Sequence, residues 1–296
     1  MRPRPGYPLR VTGSLDTGQP HVATFVTAGP LRLWTERIGD LACPAVLLIA
    51  GASAQGYTMP DALVARLVDR GAQVIRYDHR DTGRSSTVDY DQDPYGLTEL
   101  AGDAVAVLDA YGVESAHIVG GSMGGMIAQW LGLHEPARVR SLTLLSTSPV
   151  GIDPASSPLP PPAPHFLRHE AGPPGVESDV VLFRLMNGDV RPFDEPATRA
   201  MLERCWARAA DPSAAANHGR VAQRMTPDLQ VPLSTITAPT LVVHGDQDPI
   251  YSPAHGEALA AAIPGARFEL VPGMGHVYLS PGLPELLADL VPVHTA

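Results

Sequence analysis

Residues 120–124 read Gly-Gly-Ser-Met-Gly, between the apolar run Ala116-His-Ile-Val119 and a stretch of helical period that begins at Gly124. A strand that stops, a sharp turn tipped by a serine and a helix that starts at once form a strand–turn–helix elbow. A side chain at Gly120 or Gly124 would crowd the neighbouring strand or helix, which gives both glycines a steric reason to be there. The Ser122 hydroxyl stands exposed at the tip. Behind it the helix N-terminus carries a partial positive charge where an oxyanion would form, and the N–H of Met123 is the first expected oxyanion donor.

A nucleophilic serine needs a base, and the C-terminal quarter of the chain offers one. Pro272-Gly-Met-Gly-His276 follows a short apolar strand, Phe268-Glu-Leu-Val271, so His276 is expected on a loop at the C-terminal end of a strand. Upstream, Thr240-Leu-Val-Val-His244 reads as a buried parallel strand closed by Gly245-Asp-Gln-Asp-Pro249. Asp248 is the expected partner of the imidazole, since the following proline favours an abrupt exit there. Asp246 lies on the same turn and remains its competitor, because either carboxylate could cap the next helix. The chain order is Ser122, Asp248, His276.

The rest of the chain alternates strand and helix. Short strands are expected near Val22–Val26 and Leu31–Arg37, then Ala45–Ile49 as a continuous apolar run, Gln73–Tyr77, the elbow strand and Val139–Leu145. Helical stretches at Asp61–Arg70 and Leu97–Tyr111 separate them. That order implies βαβ units, a mostly parallel sheet with helices on both faces, and an α/β fold class. After the Ala45–Ile49 strand, Ala50-Gly-Ala-Ser-Ala-Gln-Gly56 consists largely of small residues that let backbone approach a ligand. Ala52 is the expected second oxyanion donor, with Gly51 beside it and Tyr57 just beyond as a candidate substrate contact.

Residues 149–175 carry a dense proline tract, including Pro158-Leu-Pro-Pro-Pro-Ala-Pro164, and the alternation resumes only at Pro239. Between them lie helical stretches over Val180–Met186, Ala197–Ala210 and Ala214–Met225. This excursion leaves after one core strand and returns at the strand before Asp248. It is therefore expected to be a helical cap over the serine, spanning 149–235, with 1–148 and 236–296 as the core. Phe183, Met186 and Trp206 are its candidate substrate contacts, although such residues can also simply pack on one another.

Composition narrows the chemistry further. The formal net charge of −10 argues against a nucleic-acid footprint, which calls for a basic stripe. Two cysteines, Cys43 and Cys205, cannot make a disulfide framework. No apolar span of about twenty residues is present, and Met1-Arg-Pro-Arg-Pro lacks a secretory h-region, so no membrane partner and a cytoplasmic location are expected. His165 and His169 have the spacing of a helical metal pair, but the segment is proline-rich and offers no obvious third ligand. They are expected to be solvated cap residues.

Elbow, Asp248, His276 and the small-residue loop together resemble the α/β-hydrolase superfamily. More narrowly, Arg76-Tyr-Asp-His-Arg-Asp-Thr-Gly-Arg-Ser85, Pro94-Tyr-Gly96, Val107-Leu-Asp-Ala-Tyr-Gly-Val113 and Pro272-Gly-Met-Gly-His276 are similar to the aclacinomycin methylesterase group of actinobacterial esterases. The resemblance covers residues 30–148 and 236–290 and leaves the cap unmatched. It implies hydrolysis of a small-molecule carboxylic ester, such as a methyl ester of a polyketide or another secondary metabolite, without a cofactor. Val119-Gly-Gly-Ser-Met-Gly-Gly-Met126 also resembles the elbow of homoserine O-acetyltransferases, which pass the acyl group to an alcohol. Some relatives with this fold act as ligand receptors with little turnover; the presence of Ser122, Asp248 and His276 counts against that alternative. The 78–85 loop reads as mainly structural, tied by its own turn and side-chain hydrogen bonds.

Overall fold

The computed structural model describes residues 18–151, 158–221 and 231–293. The expected lead-in falls largely outside these residues, as do part of the proline tract and the end of the third helical stretch of the excursion. Eight strands form one sheet: β1 (His21–Ala28), β2 (Leu31–Ile38), β3 (Ala45–Ile49), β4 (Gln73–Tyr77), β5 (Ala116–Gly121), β6 (Val139–Leu145), β7 (Thr240–Gly245) and β8 (Arg267–Val271). Their spatial order is β1-β2-β4-β3-β5-β6-β7-β8. The β1–β2 and β2–β4 pairs are antiparallel, and all pairs from β4 to β8 are parallel.

The alternation of side chains along β3 shows how the two faces are filled. Val46 and Leu48 pack with Leu63 and Leu67 of α1 (Asp61–Asp69) and with Leu283 and Leu287 of α9 (Leu283–Leu290). Leu47 and Ile49 share the other core with Leu100 and Ala104 of α2 (Leu97–Ala110), with Ile127 and Leu131 of α3 (Met123–His134), and with Leu259 of α8 (Pro253–Ala262). At the start of α2, the Gly96 N–H donates to Glu99 Oε2 at 2.6 Å, closing a donor that the helix cannot satisfy itself.

Between β6 and β7 the chain leaves the sheet through α4 (Pro164–Leu167), α5 (Val176–Asn187), α6 (Glu195–Arg208) and α7 (Asn217–Val221). Asp194 caps α6 by accepting the Ala197 N–H at 3.0 Å, with Pro196 in the first turn. Val180, Met201, Leu202 and Cys205 pack against Ala23, Trp34 and Tyr57 of the core, forming a third apolar cluster at the junction.

Charge also secures that junction. The Arg208 guanidinium lies 4.1 Å from the Trp34 ring centroid and pairs with the buried Asp78 carboxylate at 2.7 Å. Burial raises the Asp78 carboxyl above the ordinary range, an effect that Arg208 and the N–H groups of Arg84 and Gly56 only partly offset. Arg204 pairs with Asp61 at 3.0 Å and stands 3.9 Å over Tyr57. The fully buried Arg76 lies 4.5 Å from the same ring and pairs with Glu36 at 2.6 Å. Tyr57 is therefore an aromatic platform for guanidinium groups.

The elbow is closely packed. A Cβ on Gly124 would sit 2.1 Å from the Ile49 carbonyl oxygen and 2.6 Å from that of Ala50, so α3 meets the end of β3 backbone to backbone. Overpacking typically costs about 1–3 kcal/mol, and here no flexible side chain can move aside. Gly124→Ala should destabilise the protein by about 3 kcal/mol or more. Gly102, exposed in α2 with nothing within 4 Å of an added Cβ, gives the contrast. Gly102→Ala should stabilise by up to about 1 kcal/mol. Urea denaturation of both variants checks the pair, and a mild Gly124→Ala would mean that the elbow has room.

Candidate active site

Ser122 follows β5 directly, in a backbone conformation with φ 53° and ψ −120° that non-glycine residues rarely adopt. The conformation is held on several sides. The Ser122 N–H donates to the Leu145 carbonyl at 2.9 Å, continuing the ladder towards β6, while its own carbonyl accepts from Gly125 N–H at 2.9 Å and Thr147 Oγ1 at 2.7 Å. Met123 is the first residue of α3, so its N–H has no acceptor within the helix. The Gly51 backbone lies alongside: a Cβ there would be 3.3 Å from Ser122 Cβ and 3.8 Å from Oγ. Ala52 and Ser53 continue that turn, Ala52 exposed and Ser53 reaching towards α7.

Asp248 and His276 meet across the loops that follow β7 and β8. The His276 Nδ1–H donates to Asp248 Oδ2 at 2.8 Å, while Asp248 Oδ1 accepts the N–H groups of Ile250 and Tyr251 at 2.8 and 2.9 Å. Burial alone would raise the Asp248 carboxyl. The His276 imidazole, the hydrogen bond to it and the Tyr251 N–H overcome that and hold the carboxyl below its ordinary value. This geometry leaves Nε2 of His276 as the nitrogen available to a hydroxyl. Asp246 serves the backbone instead. Its Oδ1 accepts the Gly273 N–H at 2.7 Å, tying the β7 turn to the loop that leads to His276. The His276 N–H in turn donates to the Met186 carbonyl of α5 at 2.6 Å.

Ser122 and His276 open onto one cavity of about 560 Å³. Gly51, Ala52, Phe183, Met186 and Trp206 also line it, so four of the expected substrate contacts share this cavity with the expected donor Ala52. Trp206 is fixed by its Nε1–H, which donates to Asp179 Oδ2 at 2.7 Å. Tyr57 is the exception. It lies off this cavity, in the junction cluster beneath the arginines. Of the two histidines with the spacing of a metal pair, His165 is exposed on α4 and His169 follows that helix. Among the described residues no group of three or more His, Cys, Asp or Glu side chains is placed to hold an ion.

The 78–85 loop is tied as its composition suggests, with Ser85 Oγ donating to the Asp78 carbonyl at 2.7 Å and Thr82 Oγ1 to that of His79 at 2.9 Å. It also borders the cavity through Asp81, Thr82 and Gly83. Three polar residues around the site had no sequence signal of their own. His79 Nε2–H donates to the Ala50 carbonyl at 3.0 Å, His218 contacts the 50–53 turn from α7, and Gln55 joins Arg208 to the Cys205 carbonyl. Each finds its partners far away along the chain, where neither spacing nor period points.

Comparison with known proteins agrees with this fold. A profile of the alpha/beta hydrolase fold family matches residues 44–281. The chain is 38% identical to rhodomycin D methylesterase DauP of Streptomyces sp. strain C5, over 92% of this chain and 97% of that protein. The same figures describe its similarity to rhodomycin D methylesterase DnrP of Streptomyces peucetius. Among solved structures, a hydrolase from Pseudomonas aeruginosa matches with a TM-score of 0.67 at 28% identity, over 86% of this chain and 91% of that one. Among the described residues no helix is long and apolar enough to cross a membrane.

The buried imidazole of His79 should make stability depend on pH. Burial, with His218 and Arg80 close by, pushes the His79 imidazole down to about 3. In the unfolded chain it titrates near its ordinary value of about 6.5, so between those values the unfolded state binds more protons. The native state therefore loses stability as pH falls through that window. A His79→Gln variant lacks this contribution. The stability of the wild type relative to the variant should shrink steadily from pH 7 to pH 4 in urea titrations; a difference independent of pH would contradict a neutral buried His79.

Proposed function

The chain belongs to the alpha/beta hydrolase fold family, and within it we propose a serine carboxylic ester hydrolase that works through an acyl-enzyme. The observation that carries this reading is the Asp248–His276 hydrogen bond, whose imidazole lines the same cavity as Ser122 on its strained elbow. His276 Nε2 takes the proton of Ser122 Oγ as that oxygen attacks the ester carbonyl. The N–H groups of Met123 and Ala52 receive the oxyanion, and Asp248 stabilises the imidazolium. Collapse of the tetrahedral intermediate expels the alcohol, which takes the proton from His276. Water, deprotonated by the same imidazole, then releases the acid and returns Ser122.

In this reading residues 149–235 are a cap and the flanking segments the catalytic core. The cap contributes Phe183, Met186 and Trp206 to the wall, and the cavity volume lies within the usual range for sites that enclose a drug-sized ligand. Apolar walls and this volume support a methyl ester of a polyketide or similar secondary metabolite as substrate, as does whole-length similarity to rhodomycin D methylesterases. That similarity also favours water over an alcohol as acceptor, since the transferase likeness is confined to the elbow. A cytoplasmic setting completes the reading and fits two unpaired cysteines.

Ser122→Ala should abolish turnover of an activated ester while the protein stays folded by circular dichroism; sustained turnover by the purified variant would remove Ser122 from this role. The acid is tested by a matched pair. Asp248→Asn keeps the shape but weakens both the acceptor for Nδ1–H and the charge that stabilises imidazolium, and should lower kcat on the order of a hundredfold or more. Asp246→Asn retains an oxygen that can accept from Gly273 and should cost far less. The reverse ranking would transfer the role to Asp246.

A further inference from the structure

The turn expected to supply the second oxyanion donor is held from outside the sheet. Ser53, the residue after Ala52, has φ 59°, a left-handed conformation uncommon for a residue with a Cβ, and such residues persist where the surroundings over-determine them. Both hydrogen-bonding donors of Ser53 reach the helical insertion. Its N–H donates to His218 Nδ1 at 2.8 Å, and its hydroxyl donates to the Ala215 carbonyl at 2.7 Å. The other ring nitrogen of His218, Nε2, donates to the Arg80 carbonyl at 3.0 Å. These two bonds fix the tautomer, with Nδ1 the acceptor and Nε2 the donor.

His218 is fully buried, and burial pushes its imidazole down to about 4, so it is neutral at physiological pH and keeps Nδ1 free to accept. On the other side of the same turn His79 holds the Ala50 carbonyl, and the two imidazoles meet edge to face with centroids 5.7 Å apart. The base of α7 is anchored separately, since Asn217 Nδ2 donates to Asp81 Oδ2 at 3.0 Å. The Gly51–Ala52–Ser53 turn is thus braced at both ends, from the core by His79 and from the insertion by His218.

We propose that His218 is a positioning residue for the reaction: by accepting the Ser53 N–H it holds the turn that aims the Ala52 N–H at the oxyanion beside Ser122. The inference rests on the acyl-enzyme reading above. Its consequence is that the insertion does more than enclose substrate, because the oxyanion donors are complete only while α7 is docked. A donor that acts where charge develops in the transition state affects kcat, whereas the substrate still binds to the apolar walls.

Two conservative variants separate this role from packing. In His218→Asn the side-chain oxygen lies near the place of Nδ1 and can accept from Ser53. In His218→Gln the amide reaches towards the place of Nε2 and can donate to Arg80, leaving Ser53 without its acceptor. With an activated ester, His218→Gln should lose about tenfold or more in kcat with KM within about threefold, whereas His218→Asn should stay within about threefold of wild type in both. Hydrogen exchange of the 51–54 segment should quicken in the glutamine variant and not in the asparagine variant, a readout that needs no turnover.

Equal kcat values in the two variants, a loss confined to KM, or equal exchange in the 51–54 segment would overturn the role of His218. Wild type and Ser122→Ala run alongside keep the two readings distinguishable. Absence of Ser122-dependent turnover in the wild type would defeat the esterase reading itself. Intact wild-type turnover with an undiminished His218→Gln would defeat only the role of His218.

Discussion

The site depends on how closely α3 approaches the end of β3. Ile49 of β3 pairs with Gly120 of β5 in register, so the two strands finish at the same edge. There Gly124 presses against the Ile49 and Ala50 carbonyls with no space for a methyl group. This contact sets the helix N-terminus and Ser122 beside the turn that begins at Gly51. The parallel order continues through β6, β7 and β8, whose C-terminal ends face the same way. Asp248 and His276 therefore emerge from adjacent loops at the edge where Ser122 already stands, as expected for open α/β sheets.

The insertion is joined to that edge by polar contacts that reach both sides of the proposed chemistry. Met186 accepts the His276 N–H on one side, and His218 accepts the Ser53 N–H on the other. Between them Arg208 inserts a guanidinium against Trp34 and the buried carboxylate of Asp78. Loss of one partner from such a pair leaves an uncompensated buried charge, which is far more damaging than losing an exposed ion pair. The junction accordingly favours one docked arrangement of α5, α6 and α7. Its apolar wall, with Phe183, Met186 and Trp206, is fixed in relation to Ser122 by the same contacts.

Much of the core was legible because its signals are local. Ala45–Ile49, Gln73–Tyr77 and Val139–Leu145 are largely apolar runs, and each forms a strand with those bounds. The elbow announces itself through residues adjacent in sequence, and the decapeptide from Arg76 to Ser85 carries a family likeness that the whole-length similarity to methylesterases supports. Tyr57 shows where locality fails. It stands five residues beyond Ala52, yet the chain turns through a short helical turn at Gly56–Thr58 and carries the ring down against Trp34, under Arg204 and Arg208. Those arginines come from the C-terminal part of α6 in the insertion, and no local pattern encodes them. His79 and His218 were hidden for the same reason, since a buried imidazole is recognised only by the backbone atoms it meets.

The central claim is that Ser122 is the nucleophile activated through His276 and Asp248, and covalent capture tests it most directly. The intact protein is treated with an activated phosphonate ester, and the adduct is located by peptide mass spectrometry. The account predicts one adduct per chain, on Ser122, formed quickly by the wild type and at least about a hundredfold more slowly by His276→Ala, because the hydroxyl then lacks its base. An adduct on another residue, or labelling of Ser122 at an undiminished rate without His276, would contradict it.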